Sequence, residues 1–227
     1  MGKDEIWQLS YQARQRVWEK HIGPFPSDVQ KLMNLTGVWP GGCLVQIADT
    51  VIEGLTVTSS FGLTNSDMPT GVAVSHSQSR GGQWEATLKA REPRPVPPGS
   101  AGYGYEIAVL SPRPDHWPLL FASWAVQAEV LNDVDMLRRV GDNGAITIEQ
   151  IRVTPEGASS DFLITHAPGP LPTKFTLPNG SGRLLIGIAI HKKETAFALE
   201  HGQLALLERL VKSGVGPISE LGRDPIV

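Results

Sequence analysis

The pattern of apolar and polar residues is clearest between residues 101 and 142, and the rest of the chain is best understood around that stretch. Its first part alternates with a period of two, which predicts a strand. The residues on one face of this strand are Tyr103, Tyr105, Ile107 and Val109. Glu106 lies on the other face, where we expect its side chain to point to solvent.

The second part of the stretch predicts a helix. Asp115 can cap it, and Pro118 in its first turn gives up only an amide that has no partner within the helix. Apolar residues then recur at helical spacing in two adjacent rows. These rows are Trp117, Leu120, Phe121, Trp124, Ala128 and Leu131, and Leu119, Ala122, Val126 and Val130. An apolar face this wide predicts a central helix that is covered on both flanks.

Residues 1–40 are predicted to form an N-terminal helical segment. Apolar residues at steps of three and four predict an amphipathic helix over residues 4–20, which the prolines of GPFPSD end. The predicted inward side chains are Ile6, Leu9, Ala13 and Val17. Ser27 can cap one or two further helical turns over residues 28–35.

Short runs rich in β-branched residues predict strands on both sides of the central helix. The runs before it are CLVQIAD, GLTVTSSFGL, GVAVSHS and QWEATLKA, and the last two are joined by the hairpin loop QSRGG. The runs after it are AITIEQIRV, DFLITHA and GRLLIGIAI, the last of them apolar throughout, as in a strand buried on both faces. The sheet must therefore be assembled from distant parts of the sequence.

Two further segments complete the predicted architecture. The segment REPRPVPPGS is predicted to be an exposed, stiff connection, because proline cannot donate a hydrogen bond to a sheet. Residues 192–213 predict a helix interrupted at Gly202, with Phe197, Leu204, Leu207 and Val211 on one side and Leu206 and Leu210 adjoining them. The predicted fold class is α+β, a mixed and largely antiparallel sheet with helices packed on it, in a single domain over residues 1–227.

Composition excludes several classes of protein. With 41% hydrophobic and 19% charged residues, the chain is not globally disordered. A net charge of -3 without a basic run argues against a nucleic-acid partner. No apolar run has the length of a signal peptide core or a membrane span, so we expect a cytoplasmic protein that does not bind membranes. The single cysteine, Cys43, is expected to be a small buried apolar group without a disulfide.

Motifs for catalysis or for binding a metal or cofactor are missing from the sequence. GYGYEI lacks the third glycine and the helix of a dinucleotide-binding loop. Asp115, Glu106 and Asp142 could converge at one end of the central helix, but capping explains Asp115 and solvent exposure explains Glu106. We therefore predict no catalytic residues, no metal site, no cofactor and no enzymatic activity.

The residues around the central helix resemble a known family. GYGYEIAVL, WPLLFASWAVQAEVL and the following Gly141 and Asp142 resemble the signature of the suppressor of fused family. Three further segments match in the same order, namely TSSFGLTNSDMP, LLIGIAI and ALEHGQLALLERL. Together they cover residues 56–227 and imply the architecture of the N-terminal domain of suppressor of fused.

The resemblance also implies where a partner binds. In eukaryotic relatives the Gly-Asp pair lies on the surface that receives a transcription-factor peptide as an added strand, a mode in which free amides and carbonyls of a sheet edge supply affinity. The partner-binding candidates are Asp142, Gly141 and Asn143 in a loop over residues 140–144, and Asp67 on an exposed strand edge over residues 64–69. A plain Asp-Asn-Gly turn is the alternative for the first three.

The sequence departs from the eukaryotic pattern in ways that affect this prediction. The spacing from Trp-Pro to Gly-Asp is about two residues longer, a small residue near Ala128 replaces an aromatic one, and the second domain that closes over the peptide is missing. The chain is more similar to compact bacterial members, several of which are regarded as immunity proteins. This implies a non-enzymatic immunity or regulatory protein that binds and blocks a partner such as a toxin, and a pI near 6.1 suits a basic toxin.

Two alternative functions are also compatible with the sequence. One is a small-ligand-binding protein or enzyme with a pocket near Tyr103, Tyr105, His116 and Trp117. The other is a subunit of a homo-oligomer that associates through strand edges or proline-rich segments. The sequence identifies neither the partner nor the oligomeric state, and it does not reveal which sheet edge is exposed.

Overall fold

The computed structural model of this chain describes residues 2–34, 37–68, 70–79 and 81–227. In these residues the strands are β1 (Gln30–Asn34), β2 (Gly37–Ile47), β3 (Thr56–Phe61), β4 (Val72–Gln78), β5 (Trp84–Ala90), β6 (Ser100–Ser111), β7 (Ala145–Arg152), β8 (Ser159–His166), β9 (Lys174–Leu177) and β10 (Gly180–Ile190). The helices are α1 (Lys3–His21), α2 (Trp117–Asn132), α3 (Met136–Asn143), α4 (Lys192–His201) and α5 (Gln203–Lys212). None of these helices is long and apolar enough to cross a membrane.

The main sheet has the strand order β1-β2-β3-β6-β10-β8-β7, and β9 pairs with the first residues of β10. Neighbouring strands are antiparallel except β6 and β10, which are parallel. The late strand β10 lies between β6 and β8, so the sheet does combine distant parts of the sequence. The α+β fold with a mixed, largely antiparallel sheet is confirmed.

Two hydrophobic cores lie on opposite faces of this sheet, and β6 contributes alternate side chains to each of them. Ala108 and Leu110 join the core that contains Trp18 of α1 and Leu206 of α5. Tyr105, Ile107 and Val109 join the core formed with α2 and α3. The sheet is therefore covered by helices on both sides.

The central helix α2 begins at Trp117 as predicted and packs closely on the sheet. Its Phe121 ring stacks on Phe162 of β8 with ring centroids 4.3 Å apart. The close approach depends on Gly187 in β10, where a Cβ atom would lie only 2.3 Å from the Phe121 ring. All four residues of the second predicted row are buried, as are Trp117, Phe121 and Ala128 of the first, while Leu131 is 39% exposed.

The prediction of an N-terminal helical segment over residues 1–40 is wrong after α1. Residues 30–34 form strand β1, in which Gln30 lies opposite Leu44 and Lys31 opposite Cys43. Pairing with the long strand β2 therefore outweighs the weak local helix signal, as tertiary contacts often do. Leu35 lies outside the described residues.

In two helices the most buried residues adjoin the predicted row, whose members Ala13, Val17, Phe197 and Leu207 are partly buried against the core. In α1 the buried residues are Ser10, Arg14 and Trp18, while Leu9 is 38% exposed. In α5 the buried residues are Leu206 and Leu210, while Leu204 and Val211 are each 56% exposed. Gly202 does separate α4 from α5, as predicted.

Strands β4 and β5 form the predicted hairpin, a separate two-stranded sheet. Its base is held by hydrogen bonds from the Gly71 amide to the Val130 carbonyl (3.2 Å) and from Arg91 to the Leu131 carbonyl (2.5 Å), and by an ion pair between Arg91 and Asp133. The proline-rich segment that follows contains no helix or strand over residues 91–99 and is mostly exposed, as predicted.

Candidate functional site

The predicted loop over residues 140–144 is the last turn of helix α3 and its cap. Met136 and Val140 are one turn apart and fully buried, so this short segment is amphipathic. Asp135 precedes the helix in a left-handed conformation (φ 54°), and Gly144 ends it with φ 74°. The spacing of the two buried residues is the signal that could have predicted a helix here.

The three partner-binding candidates on α3 lie together on its solvent side. Gly141, Asp142 and Asn143 are all exposed, and nothing lies within 4 Å of the place where a Cβ of Gly141 would be. Asp142 accepts a hydrogen bond from Arg138 one turn earlier (3.1 Å), and both side chains are about 60% exposed. We call these four residues the α3 surface.

A cleft of about 380 Å³ adjoins this surface, between α3 and the proline-rich segment. We call it the α3 cleft; its lining is Arg94, Pro95, Val96, Pro97, Tyr103, Asp135, Leu137 and Arg138. The prolines fix the backbone of one wall, and Leu137 of α3 supplies an apolar opposite wall. Arg138 belongs to both the cleft and the α3 surface, so the two form one continuous region.

The inner wall of the cleft is fixed by a buried carboxylate. Glu129 of α2 is fully buried and accepts hydrogen bonds from the Tyr105 hydroxyl (2.8 Å), Arg94 (2.6 Å) and the Met136 amide (3.2 Å). A buried carboxylate needs such partners to remain charged at low cost. This single side chain ties the sheet, the proline-rich segment and the start of α3 together.

The same network continues from Arg94 outward to solvent. Arg94 forms a second ion pair with Asp135 (2.9 Å), which also accepts a hydrogen bond from Arg138 (2.7 Å). Arg138 then reaches Asp142, and its pKa is raised, first by the hydrogen bond to Asp135. Charges of alternating sign therefore lead from the buried Glu129 to the exposed Asp142.

The tyrosines of the cleft stay protonated at neutral pH. Burial, and after it the nearby Glu129 carboxylate, raise the pKa of Tyr103 to about 12. The same two causes, burial first, raise the pKa of Tyr105 well above its usual value. The Arg94 guanidinium lies 5.6 Å from the centre of the Tyr103 ring. The cleft wall thus carries a neutral aromatic face beside a fixed cation.

Strand β7 begins at Ala145, two residues after Asn143, and is an end strand of the main sheet. Its pairing with β8 is interrupted by a bulge between Ile148 and Ile151, where Gln150 has φ 59°. Bulges limit pairing at sheet edges. The regular part of this edge is therefore the half of β7 that lies next to the α3 surface.

Asp67 does not join this site. It lies exposed in the loop after β3, and it does not line the α3 cleft. The predicted strand edge over residues 64–69 is wrong for the described residues 64–68, which belong to no strand, and Thr64 and Asn65 are buried. The reason is that Arg14 binds both side chains, at 3.0 and 2.6 Å.

Glu106 is also placed differently from the prediction. Its carboxylate is fully buried and accepts hydrogen bonds from the Ser60 hydroxyl (2.6 Å), the Gly62 amide (3.0 Å) and the amide and hydroxyl of Thr64 (2.9 and 2.7 Å), with Arg14 at 3.8 Å. It faces α1, on the opposite side of the sheet from α3. Glu106, Asp115 and Asp142 therefore do not converge.

The alternative ligand pocket is not formed by the four residues predicted for it. Tyr103 lines the α3 cleft, and Tyr105 is fully buried beneath it. Trp117 lines a separate cavity of about 80 Å³ at the other end of α2, and His116 is exposed. Among the described residues, no group of three or more His, Cys, Asp or Glu side chains could hold a metal ion.

The fold is similar to solved structures of one kind. A protein from the Sufu-Fu complex matches over 97% of this chain and 92% of its own, with a TM-score of 0.53 and 13% identity. A putative SUFU homologue from Neisseria gonorrhoeae matches over 99% of this chain and 98% of its own, with a TM-score of 0.53 and 16% identity. The chain has the suppressor of fused fold.

A third matched structure is about twice as long as this chain. Drosophila Suppressor of Fused matches over 97% of this chain but only 51% of its own length, with a TM-score of 0.52 and 14% identity. No protein-family model matches the sequence, and no curated protein matches it. The predicted resemblance to suppressor of fused is confirmed by the fold, and one of the matched structures is a protein–protein complex.

Proposed function

We propose that this chain is a non-enzymatic, single-domain protein-binding module that acts in the cytoplasm by binding and blocking a partner protein. The observation that carries the proposal is the continuity of the α3 cleft with the exposed Arg138 and Asp142. An apolar depression with charged residues at its rim is typical of surfaces that bind proteins.

The cleft is suited to hold an apolar side chain of the partner. Pro95, Val96, Pro97 and Leu137 form its walls, and the buried Glu129 fixes their positions through Arg94 and the Met136 amide. A preformed pocket of this kind requires little ordering when it is filled, which favours affinity. Tyr103 adds a flat aromatic wall, a residue type enriched in binding surfaces.

The rim supplies specificity through charge and through the sheet edge. Arg138 and Asp142 neutralise each other at 3.1 Å, yet both are exposed enough to take new partners. Beyond them the first half of β7 can accept an added strand, whose main-chain groups would pair with its free edge. Asp142, Gly141 and Asn143 then contact the partner, and Asp67 is a separate, outlying candidate.

The partner that we propose is a toxin whose activity is blocked by the complex. This finer proposal rests on the resemblance of the sequence to compact bacterial relatives and on a net charge of -3, which favours encounter with a basic protein.

The test is affinity capture from lysate of the source organism with the tagged wild-type chain and the Asp142→Arg variant, followed by mass spectrometry. We expect one stoichiometric protein on the wild type and at least about tenfold less on the variant, because reversing a charge at an interface creates repulsion. The captured protein is then assayed for toxicity with and without this chain.

The matched control is Glu19→Arg, which makes the same change of charge on the exposed side of α1, on the opposite face of the sheet. We expect it to capture as much partner as the wild type. Equal capture by all three proteins would show that the partner does not bind at the α3 surface. If the wild type captures no specific protein, the binding function itself is contradicted.

A further inference from the structure

The hairpin of β4 and β5 projects into solvent, and its side chains over residues 74–78 and 84–89 are exposed on both faces. Direct cross-strand partners lie on the same face, and one face carries Val74 opposite Leu88 and Trp84 opposite Gln78. Val74 is 41%, Leu88 47% and Trp84 71% exposed. Isolated two-stranded hairpins are marginally stable in water, so this face and its edges favour an additional partner.

The hydrogen bonds of the hairpin identify which groups of β5 are free. At the base the Arg91 amide donates to Gly71, and at the tip the Ser79 amide donates to Gln83. Because hydrogen-bonded pairs alternate along an antiparallel ladder, Glu85, Thr87 and Lys89 are the residues of β5 bonded to β4.

The residues between them present their amides and carbonyls to the outer edge of β5. These residues are Trp84, Ala86, Leu88 and Ala90. The two-stranded sheet contains no strand beyond β5 in the described part of the chain. This edge lacks the protection by bulge or proline that sheet edges usually have.

We propose that this edge is a self-association site, at which β5 of a second copy of this chain pairs antiparallel across Thr87. In that register the strand pairs over its full length, Trp84 against Ala90 and Ala86 against Leu88 of the other copy. These are the residues whose main-chain groups are free, so every outward amide on the strand gains an acceptor.

The charges of β5 favour the same register. With Thr87 at the two-fold axis, Glu85 of each copy lies opposite Lys89 of the other, in a pair without hydrogen bonds where side chains are closest. A register that placed Glu85 opposite itself would bring two carboxylates together. Trp84 then lies diagonal to Leu88 of the other copy, within reach of an aromatic side chain. The sequence of the strand is thus complementary to itself, which is what a two-fold interface requires.

Sedimentation velocity on the full chain from about 1 to about 200 μM tests this proposal, because a dimer makes the sedimentation coefficient depend on concentration. We expect a dimer for the wild type. Glu85→Lys and Lys89→Glu should each raise the dimer dissociation constant about tenfold or more, since each replaces two attractive pairs by repulsive ones. The double variant Glu85→Lys/Lys89→Glu should restore wild-type association.

A second pair of variants separates loss of the edge from loss of the hairpin. Ala86→Pro removes an amide that points outward and breaks no bond to β4, so the chain should stay folded by circular dichroism and become monomeric. His76→Pro makes the matching change on the outer edge of β4, and it should leave the dimer intact. A monomeric wild type, a dimeric Ala86→Pro variant or a charge swap that fails to restore the dimer would each overturn the proposal. Capture of a partner at the α3 surface does not depend on any of these outcomes.

Discussion

Glu106 is held inside the protein by hydrogen bonds from β3 and the loop that follows it, and by the charge of Arg14 in α1, 3.8 Å away. The hydroxyl of Thr64 links the two buried charges, because it accepts a hydrogen bond from Arg14 (3.0 Å) and donates one to Glu106 (2.7 Å). The Arg14 guanidinium also lies 4.2 Å from the centre of the Phe61 ring. Burial lowers the pKa of Arg14, and Glu106 opposes that effect. The pair therefore fixes α1 on the sheet in one orientation.

Glu106→Gln should lower the free energy of unfolding by roughly 3 kcal/mol, because it leaves the buried Arg14 without its counter-charge. Urea unfolding followed by tryptophan fluorescence measures this change. The control Glu19→Gln, on the exposed side of α1, should change stability by less than about 0.5 kcal/mol. A loss below about 1 kcal/mol for Glu106→Gln would mean that the buried pair is not a major anchor of α1.

Buried charged residues such as Arg14 and Glu106 could not be predicted from the sequence. Asp142 and Asn143 are exposed, and their hydrogen-bond partners Arg138 and Arg139 lie only four residues away in the same helix. Arg14 and Glu106 occupy positions that alternation and helical spacing assign to solvent, yet both are fully buried. The hydrogen-bond partners of Arg14 are about 50 residues away from it in the chain, and those of Glu106 are 42 to 46 residues away. Local patterns contain no information on such distant pairs.

Glu194 is another buried carboxylate, and it anchors the C-terminal residues. Burial by itself raises its pKa, but hydrogen bonds from Arg223 and from the amides of His191 and Ile226 outweigh burial, so the pKa is lowered from its usual 4.5. Since the folded protein binds this proton less tightly than the unfolded chain does, the charged form stabilises the fold above about pH 5.

We expect the difference in unfolding free energy between the wild type and Glu194→Gln to be constant above about pH 5.5 and to shrink as the pH falls below 4.5. Urea unfolding between about pH 3 and pH 7 measures this difference. The exposed pair of Glu208 and Lys212 offers the comparison Glu208→Gln, which should give a smaller difference throughout. A difference that grew on acidification would show that the folded protein raises the pKa instead.

Among the secondary-structure elements, the position of α2 depends on a glycine in β10, where no side chain separates the strand from the helix. Gly187 has extended neighbours on both sides and lies directly beneath Phe121. A methyl group there would push Phe121 and its helix away from Phe162, and with them the Glu129 that fixes the α3 cleft. The geometry of the proposed binding site is therefore set by packing in the centre of the sheet.

Gly187→Ala should destabilise the protein by about 1 to 3 kcal/mol, the usual cost of overpacking a core. The same substitution in α3 should act in the opposite direction. Gly141→Ala meets no atom within 4 Å, and it should add about 0.5 to 1 kcal/mol by favouring the helix. Thermal unfolding of both variants measures the two effects. Equal and small effects at the two sites would contradict the proposed packing of α2.

The elements themselves were predictable where the local pattern was strong. The boundaries of α2 and the two helices around Gly202 follow from apolar periodicity and glycine. Strand β1 could not be predicted, since Gln30–Asn34 is a strand only because β2 lies beside it. The order of strands in the sheet could not be predicted for the same reason, because β10 pairs with β6 across some 80 residues of sequence.

In the whole molecule, the C-terminal end of α2 holds both the proposed binding site and the proposed self-association site in place. The C-terminal end of α2 carries Glu129 for the α3 cleft, and Val130 and Asp133 for the base of the hairpin. Arg91 and Arg94 connect the same end of α2 to the proline-rich segment. The hairpin, the cleft and the α3 surface therefore project from one region of the fold, and the opposite face is occupied by α1, α4 and α5.

Amide hydrogen exchange of the full chain, with and without its captured partner, tests whether the partner covers the α3 cleft and the α3 surface. We predict that exchange slows at least about tenfold in residues 94–97 and 136–148 when the partner is bound, because the cleft, α3 and the first half of β7 become covered. Residues 72–90 are compared separately, since self-association protects the hairpin without a partner. Protection confined to α1, α4 and α5 would contradict the proposed binding surface.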